Sequence, residues 1–147
     1  MQSPPTASQL ANLREAAQTV AANAYAPYSQ FRVGAALLLN TPLDADKAVA
    51  TIVAGCNVEN ASFRLTTCAE QAAVARAVSQ HGPHIRILAV AVANLNQSAS
   101  QPCGACRQTL LEFSLPETLV LYPGAGNQPA QQLLSELLPA GFALEHA

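Results

Sequence analysis

Apolar residues near the start of the chain recur at intervals of three and four residues, the spacing of one face of an α-helix. They are Leu10, Leu13, Ala17, Val20 and Ala24. We expect Ser8 to cap the start of this helix, because a serine side chain accepts hydrogen bonds from the first free amides. The helix should end before Pro27, since proline disfavours helical backbone at the preceding residue.

Two stretches rich in branched and apolar residues follow this helix, at residues 31–39 and 49–58. The loop between them contains Asn40, Pro42 and Asp44, which are residue types that favour turns. We therefore predict a β-hairpin whose two strands pair in antiparallel orientation.

The middle of the chain changes from a helical to a strand-like pattern. Residues 68–79 are rich in alanine and predict a helix that ends before Gly82. Residues 86–93 form a nearly unbroken apolar run that is typical of a strand buried on both faces. A helix and a buried strand are therefore expected here.

Helix and strand alternate again toward the end of the chain. Residues 103–113 predict a third helix and residues 118–122 a short strand. The tail over residues 128–138 fits either a helix or an edge strand, because Pro129 is tolerated at the start of both. This order of elements is typical of an α/β fold, here a three-layer α-β-α sandwich around a mostly buried sheet.

The composition places few charges on this fold. Charged residues make up 11% of the 147 residues, and the formal net charge is -2, so a basic surface for nucleic acid is not expected. A surface with so few charges favours association into a homo-oligomer. No repeat, low-complexity segment or charge run divides the chain, so we expect a single domain over residues 1–147.

No segment is expected to cross a membrane or to direct export. The longest apolar runs, residues 33–39 and 87–93, are far shorter than the roughly 18 residues that a spanning helix needs. The stretch MQSPPTASQL at the start holds no basic residue and no apolar run, so no secretory signal is expected. We therefore expect a cytoplasmic protein with free thiols.

Cysteines carry the candidate chemistry. Cys103 and Cys106 form a Cys-x-x-Cys motif, which is consistent with a redox dithiol, with part of a zinc site or with two buried thiols. The redox interpretation is less favoured, because a thioredoxin-like motif follows the first strand of its fold whereas this one follows three predicted strands. Cys68 supplies a further thiolate at a predicted helix start, where the helix dipole favours anions.

Three thiolates leave one position of a tetrahedral zinc ion open. Structural zinc is closed by four protein ligands, whereas catalytic zinc keeps one position for water. Glu70 follows Cys68 by two residues and is well placed as a proton carrier beside such a water. The alternative for Glu70 is a solvent-facing carboxylate in a first helical turn, which the helix dipole alone favours.

The pairing of Cys-x-Glu with Pro-Cys-x-x-Cys is the signature of zinc-dependent nucleobase deaminases. Within that group, four segments resemble the motifs of the small homotetrameric cytidine deaminases, in the same order and at the same spacing. They are residues 25–37 (YAPYSQFRVGAAL), 55–62 (GCNVENAS), 102–108 (PCGACRQ) and 136–142 (ELLPAGF). The resemblance extends from the first predicted helix to Phe142.

The resemblance implies an activity and a cofactor. The activity is hydrolytic deamination of cytidine and 2′-deoxycytidine to uridine and 2′-deoxyuridine with release of ammonia, as in pyrimidine salvage. The cofactor is one Zn²⁺ per chain, held by Cys68, Cys103 and Cys106, with Glu70 as the acid and base. The family also implies a mixed sheet of about five strands, which favours the strand interpretation of residues 128–134.

The resemblance also assigns residues to the substrate. Asn57 and Glu59 resemble the pair that hydrogen-bonds the sugar 3′-hydroxyl, and their spacing along a strand puts both side chains on one face. Phe31 resembles the aromatic residue that packs on the pyrimidine, and the backbone amide of Ala69 resembles the group that faces its 2-oxo oxygen. Phe142 resembles a residue contributed by a neighbouring subunit, which implies a homotetramer with shared active sites.

Two positions near the site depart from the family's motifs. Gln71 follows the catalytic glutamate where the family usually has arginine, so a cation beside the thiolates is missing unless Arg107 or another donor takes its place. Phe63 stands where tyrosine is more frequent, so a hydroxyl near the sugar end of the pocket is missing.

Alternative functions start from the same residues. A deaminase of this fold that acts on another cytosine-bearing compound, such as blasticidin S, would keep the zinc site and change the sugar contacts. A non-catalytic module stabilised by zinc would use Cys56 as a fourth ligand and bind no water. Activity on polynucleotides is the weakest alternative, because lysine and arginine are scarce.

Overall fold

A computed structural model of the chain describes residues 3–40 and 50–144. Helices and strands alternate along these residues much as predicted. The elements are α1 (Ala7–Ala21), β1 (Val33–Asn40), β2 (Thr51–Cys56), α2 (Ala69–His81), β3 (Arg86–Asn94), α3 (Gly104–Leu111), β4 (Ser114–Pro123), β5 (Pro129–Leu133) and α4 (Leu134–Leu137). Across the described residues, every helix is too short or too polar to cross a bilayer.

The strands form one mixed sheet in the order β2-β1-β3-β4-β5. Strand β1 pairs in antiparallel orientation with both β2 and β3, β3 and β4 are parallel, and β4 and β5 are antiparallel. The antiparallel pairing of the two predicted hairpin strands, the mixed sheet and the fifth strand are therefore confirmed. The loop residues Pro42 and Asp44 and the predicted strand start at residue 49 lie outside the described residues.

Helices cover both faces of the sheet, which confirms the three-layer α-β-α sandwich. Helix α1 packs on one face, where a buried cluster includes Leu13, Leu38 and Leu121. Helices α2 and α3 pack on the other face around a larger cluster that includes Leu37 and Leu110. Successive side chains of β1 alternate between the two clusters, as expected for a strand buried on both faces.

The N-cap of helix α1 lies two residues earlier than predicted. It is Thr6 rather than Ser8. The Thr6 hydroxyl accepts a hydrogen bond from the Gln9 amide (3.2 Å), and the Gln9 side chain accepts one from the Thr6 amide (2.8 Å). This reciprocal pair satisfies two amides at once, whereas a cap at Ser8 would leave the Gln9 side chain unused.

Helix α1 also ends earlier than predicted, at Ala21 rather than just before Pro27. The intervening backbone pairs with a distant segment instead. The Tyr25 amide donates to the Asn57 carbonyl (3.1 Å), and the Glu59 amide donates to the Tyr25 carbonyl (2.8 Å). Sheet-like pairing with residues far along the chain therefore replaces the last helical turn.

Helix α3 is shorter and strand β4 is longer than predicted. The helix ends at Leu111, and the strand begins at Ser114 rather than at Thr118. The Ile87 amide donates to the Phe113 carbonyl (2.8 Å), and Ile87 pairs with Ser114. Pairing with β3 thus begins directly after the helix.

The tail contains a strand followed by a short helix. Strand β5 spans Pro129–Leu133, which confirms the strand interpretation of residues 128–134, and α4 follows at Leu134–Leu137. Pairing of β5 with β4 overrides the low strand propensity of Gln131 and Gln132. Because β5 lies at the sheet edge, the missing amide of Pro129 is tolerated.

Two glycines let helices lie very close to the sheet. A Cβ added to Gly34 would lie 2.0 Å from the carbonyl oxygen of Ala17 in α1. A Cβ added to Gly55 would lie 2.5 Å from the amide nitrogen of Ala73 in α2. Neither position accepts a side chain unless a helix moves, so Gly55 sets the distance between β2 and the helix that begins after Cys68.

Gly55→Ala is expected to lower the free energy of unfolding by about 1 to 3 kcal/mol, because the added methyl group must displace the backbone of α2. Urea unfolding monitored by circular dichroism measures the change. Gly104→Ala is the matched control, since a Cβ added to Gly104 meets no atom within 4 Å. Equal stability of the two variants would contradict this account of the β2–α2 contact.

Candidate metal centre and substrate pocket

The three predicted metal ligands meet at the N-termini of two neighbouring helices. Cys68 is the N-cap of α2, Cys103 is the N-cap of α3, and Cys106 lies in the first turn of α3. Their Sγ atoms all lie within 4.8 Å of one another, and those of Cys103 and Cys106 are 3.3 Å apart. The fold therefore brings a residue of one helix to the Cys-x-x-Cys motif of the other.

This arrangement fits a tetrahedral zinc ion. Zinc–thiolate bonds of about 2.3 Å place two sulfur ligands of one ion about 3.8 Å apart. That distance lies between the 3.3 Å of the Cys103–Cys106 pair and the 4.8 Å within which the whole set falls. Three sulfur ligands would leave one tetrahedral position for a water molecule.

Hydrogen bonding favours the thiolate form of Cys68. Its pKa is lowered to about 7, chiefly because the Cys106 thiol donates a hydrogen bond to it, against the opposing effects of burial and of the Glu70 charge. The same interaction, together with burial, raises the pKa of Cys106. The thiols therefore share protons among themselves, and a divalent cation would allow all of them to ionise.

Glu70 lies in the first turn of α2 beside the thiols. Its side chain is only 4% exposed, and its Oε2 is 3.5 Å from the Sγ of Cys106. Burial raises the pKa of this carboxyl group above its ordinary value. A solvent-facing carboxylate, the alternative left open by the sequence, does not describe Glu70, which is buried at the metal site.

Cys56 does not join the cluster. It lies at the end of β2, two residues after Ala54, whose side chain packs on the α1 face of the sheet. Alternate residues of a strand share a face, so Cys56 lies on the face opposite to α2 and α3. In residues 3–40 and 50–144, the one group of side chains close enough to hold a metal consists of Cys68, Cys103 and Cys106. A closed site with four cysteine ligands is therefore not formed.

The cysteines lie in a pocket of about 320 Å³. Eight of the predicted site residues line it: Phe31, Asn57, Glu59, Cys68, Ala69, Glu70, Cys103 and Cys106. Larger cavities of about 450 Å³ and 470 Å³ lie along α1 and contain none of the cysteines. Chemistry rather than size therefore identifies the functional pocket.

Several residues of the pocket wall were not predicted from the sequence. They are Ser29, Val33, Thr66, Ser100 and Gln101. Ser29 lies within residues 25–37, one of the segments that resemble the family's motifs, so the sequence did mark its neighbourhood. Thr66 and Ser100 lie in irregular segments, where nothing in the sequence marks a residue as pocket-facing.

The Asn57 side chain holds the backbone of the pocket wall. Its Oδ1 accepts a hydrogen bond from the Val33 amide (2.9 Å), and its Nδ2 donates to the Phe31 carbonyl (2.8 Å). An amide nitrogen carries two hydrogens, so these contacts leave one hydrogen of Nδ2 for a ligand. Asn57 is therefore fixed by the same backbone that carries Phe31.

The Glu59 carboxylate is held by the loop that precedes Phe31. Its Oε2 accepts hydrogen bonds from the amides of Tyr28 (2.8 Å) and Ser29 (3.3 Å), and its Oε1 accepts one from the Ser29 hydroxyl. The Ser29 hydroxyl is the main cause that lowers the pKa of Glu59, with a smaller contribution from the two amides and an opposing one from burial. Glu59 is thus kept as an ionised acceptor.

The two departures from the family's motifs take different positions. The Gln71 Oε1 accepts a hydrogen bond from the Cys68 amide (3.4 Å), so Gln71 contacts the backbone of a metal ligand. Phe63 is 76% exposed, and its ring centroid is 6.2 Å from that of Tyr28 in an edge-to-face arrangement. Phe63 does not line the pocket of the cysteines.

Arg107 supports the metal site through the backbone. Its guanidinium donates to the carbonyls of Pro102 (2.9 Å) and Leu137 (2.9 Å) and to the side chain of Gln101 (2.9 Å). These contacts fix the residue before Cys103 and tie it to the end of α4. The acceptors of these hydrogen bonds are neutral, and none of them is a thiol of the cluster.

Phe142 lies outside the pocket of its own chain. Its side chain is 68% exposed. Its backbone is clasped by Gln108, which donates from Nε2 to the Phe142 carbonyl (2.7 Å) and accepts from the Phe142 amide (3.0 Å). The tail therefore presents an aromatic side chain to the surroundings from a fixed backbone.

Curated relatives are similar over most of the chain. A cytidine deaminase of Mycobacterium tuberculosis is 42% identical over 133 residues, which cover 90% of this chain and 89% of the relative. A cytidine deaminase of Halalkalibacterium halodurans is 38% identical over 122 residues, which cover 83% of this chain and 85% of the relative.

Solved structures share the fold. The crystal structure of the cytidine deaminase of Mycobacterium tuberculosis matches with a TM-score of 0.74 at 42% identity, covering 92% of this chain and 98% of that one. The cytidine deaminase of Burkholderia pseudomallei matches with a TM-score of 0.76 at 37% identity, covering 90% and 98%.

The chain also matches a family of zinc-binding proteins. Residues 7–122 match the family described as the cytidine and deoxycytidylate deaminase zinc-binding region. That description agrees with the cluster of Cys68, Cys103 and Cys106, whose sulfur ligands suit zinc. With a match over most of its length and relatives above 30% identity, the chain belongs to the cytidine and deoxycytidylate deaminase family.

Proposed function

We propose that the chain catalyses hydrolytic deamination of cytidine and 2′-deoxycytidine, with uridine or 2′-deoxyuridine and ammonia as products, in pyrimidine salvage. The observation that carries this proposal is the buried Glu70 carboxyl beside three clustered thiols, in one pocket with the polar side chains of Asn57 and Glu59. An acid, a metal site and hydrogen-bonding groups for a sugar are the parts that this reaction requires.

The metal and the acid divide the chemistry. Cys68, Cys103 and Cys106 would hold one zinc ion, which would supply a Lewis acid that makes a water molecule nucleophilic near neutral pH. Glu70 takes the proton that this water loses and delivers it to N3 of the pyrimidine as the oxygen adds to C4. Glu70 then takes the proton of the new C4 hydroxyl and passes it to the 4-amino group, so that the C4–N4 bond breaks, ammonia leaves and the C4 carbonyl forms.

The pocket wall orients the nucleoside. Phe31 packs on the pyrimidine ring, and the backbone amide of Ala69, at the start of α2, faces the 2-oxo oxygen. The remaining Nδ2 hydrogen of Asn57 and the carboxylate of Glu59 hydrogen-bond the sugar 3′-hydroxyl. Gln71 and Arg107 act indirectly, through the backbone at the two helix starts.

The proposed assembly is a homotetramer with shared active sites. Its support is the exposed Phe142 ring on a tail that Gln108 fixes. In the tetramer this ring would complete the pocket of a neighbouring subunit, and residues 1–147 would act as one catalytic domain. Because the zinc site needs reduced thiols, the cytoplasm is the compartment that suits it.

A spectrophotometric assay on protein of measured zinc content tests the proposed reaction. Loss of cytidine absorbance with equimolar release of ammonia is the expected result for cytidine and 2′-deoxycytidine. Blasticidin S and a cytosine-containing oligonucleotide, assayed in parallel, should not be deaminated. Turnover of blasticidin S without turnover of cytidine would reject the proposed substrate class.

Glu70→Gln is expected to keep zinc and fold but to lose about 10²- to 10⁴-fold in kcat, because the amide fits the site yet cannot carry the proton. Zinc analysis and steady-state kinetics measure both properties. Cys68→Ala is the contrasting variant, since it should lose the metal. Retention of more than about a tenth of wild-type kcat by Glu70→Gln would reject the role of Glu70 as proton carrier.

Glu70→Gln is also expected to stabilise the metal-free protein, increasingly so as the pH rises. Burial raises the pKa of Glu70 in the native state, so this carboxyl group begins to destabilise the native state as the pH rises above its unfolded-state pKa, and the loss is complete once the pH passes the native-state pKa. Urea unfolding at about pH 5 and about pH 8 measures the trend. Glu15→Gln, at an exposed position of α1, is the control. A stability difference that shrinks with rising pH would contradict the assignment.

Phe142→Ala is expected to raise the KM for cytidine about fivefold or more, since buried aromatic anchors contribute strongly at interfaces. Leu144→Ala is the matched control, because Leu144 is an equally exposed apolar residue of the same tail. Sedimentation at assay concentration reports the assembly. A fully active monomer, or equal KM values for both variants, would contradict the shared site.

A further inference from the structure

We propose that Ser29 is a positioning residue for substrate binding, whose hydroxyl holds the Glu59 carboxylate in the orientation that accepts the nucleoside 3′-hydroxyl. This inference rests on the proposed function, in which Glu59 contacts the sugar. Ser29 lines the pocket together with Glu59 and Phe31. The assignment follows from how the hydrogen bonds of this wall are shared.

The contacts of Glu59 leave one direction open. A carboxylate offers about four lone-pair sites on its two oxygens. The amides of Tyr28 and Ser29 occupy both sites of Oε2, at 2.8 Å and 3.3 Å. The Ser29 hydroxyl occupies one site of Oε1. The remaining site of Oε1 is the acceptor available to a ligand, and the Ser29 hydroxyl determines where it points.

The direction of the Ser29 proton is also determined. A serine hydroxyl donates one hydrogen bond and accepts others. The Phe31 amide donates to the Ser29 Oγ (3.0 Å), so the hydroxyl proton is directed at the Glu59 carboxylate. Ser29 therefore joins the sugar acceptor to the backbone of the residue that packs on the base.

The turn around Ser29 keeps this geometry fixed. Gln30 adopts a left-handed backbone with φ 59°, which is uncommon for a residue other than glycine. Its amide donates to the Ala26 carbonyl (3.0 Å), and its side chain donates to the Pro27 carbonyl (2.9 Å). On the other side, Asn57 binds the Phe31 carbonyl (2.8 Å). Loss of the Ser29 hydroxyl should therefore free Oε1 of Glu59 without unfolding the turn, while the two backbone amides still hold Oε2.

Loss of the Ser29 hydroxyl should affect substrate binding rather than the chemical step. Ser29 forms hydrogen bonds with Glu59 and Phe31. The Glu70 carboxyl group instead contacts the Cys106 thiol. Removing the hydroxyl leaves Oε1 free to rotate or to bind water, which weakens its hold on the 3′-hydroxyl. The expected change is therefore a higher KM with little change in kcat.

The test compares Ser29→Ala with the wild-type zinc enzyme on cytidine and on 3′-deoxycytidine. The second compound lacks the 3′-hydroxyl that donates a hydrogen bond to Glu59. We expect kcat/KM for cytidine to fall about tenfold, mainly through KM, since a hydrogen bond to a charged group is strong. For 3′-deoxycytidine, kcat/KM should change less than about twofold. Ser29→Thr, which keeps the hydroxyl, should restore most of the difference.

Ser79→Ala is the matched control, because the Ser79 hydroxyl donates to the Ala75 carbonyl of its own helix (2.8 Å), away from the pocket. Its kinetics on both substrates should equal those of the wild type. Zinc content and melting temperature, measured for each variant, show whether the fold and the metal are kept.

Glu59→Ala separates the inference from the proposal on which it rests. Loss of the preference for cytidine over 3′-deoxycytidine in both Glu59→Ala and Ser29→Ala supports the positioning role. Two outcomes overturn the role of Ser29 while the sugar contact of Glu59 stands. In both, Glu59→Ala loses the preference for cytidine. In the first, Ser29→Ala keeps that preference, and in the second, Ser29→Ala loses activity equally on both substrates. If Glu59→Ala keeps the preference, the sugar contact itself is wrong and the inference falls with it.

Discussion

Three thiolates around one point repel one another, and the chain supplies few cations to offset that repulsion. It has seven Lys and Arg in 147 residues. In this fold, backbone amides supply positive charge near the thiolates. Two helix N-termini, whose free amides carry partial positive charge, meet on one face of the sheet and present Cys68, Cys103 and Cys106 to a single ion. The close packing of α2 on Gly55 belongs to the same requirement, because it determines where one of those helix starts lies.

The same helix start solves a second problem, which is to hold an acid beside the metal without adding it to the ligands. Glu70 is buried in the first turn of α2, near Cys106, where water is scarce and its proton is held more tightly. The opposite treatment applies at the sugar end of the pocket, where amides and a hydroxyl keep Glu59 ionised. The pKa values of two carboxyl groups in one pocket are therefore shifted in opposite directions because their surroundings differ.

Local patterns were enough to predict the sandwich and the metal ligands. The spacing of Cys103 and Cys106 and the apolar run of β3 are properties of single segments, which sequence analysis reads directly. The predictions from the sequence were wrong or incomplete where segments far apart in the sequence pair with each other. Tyr25 leaves the helix because it bonds to Asn57, and Ser29 joins the pocket because Glu59 approaches it from a separate segment. Such hydrogen bonds depend on the assembled fold, so no local pattern announces them.

Zinc X-ray absorption on the purified zinc protein tests the central claim most directly, namely that three thiolates hold the ion and leave one position for water. The account predicts three sulfur neighbours at about 2.3 Å and one oxygen neighbour at about 2.0 Å. It also predicts the same shell in Glu70→Gln, because the carboxyl group is a neighbour of the site and not a ligand. A shell of four sulfur atoms would contradict the account, since it would close the site with Cys56 and leave no position for the reacting water.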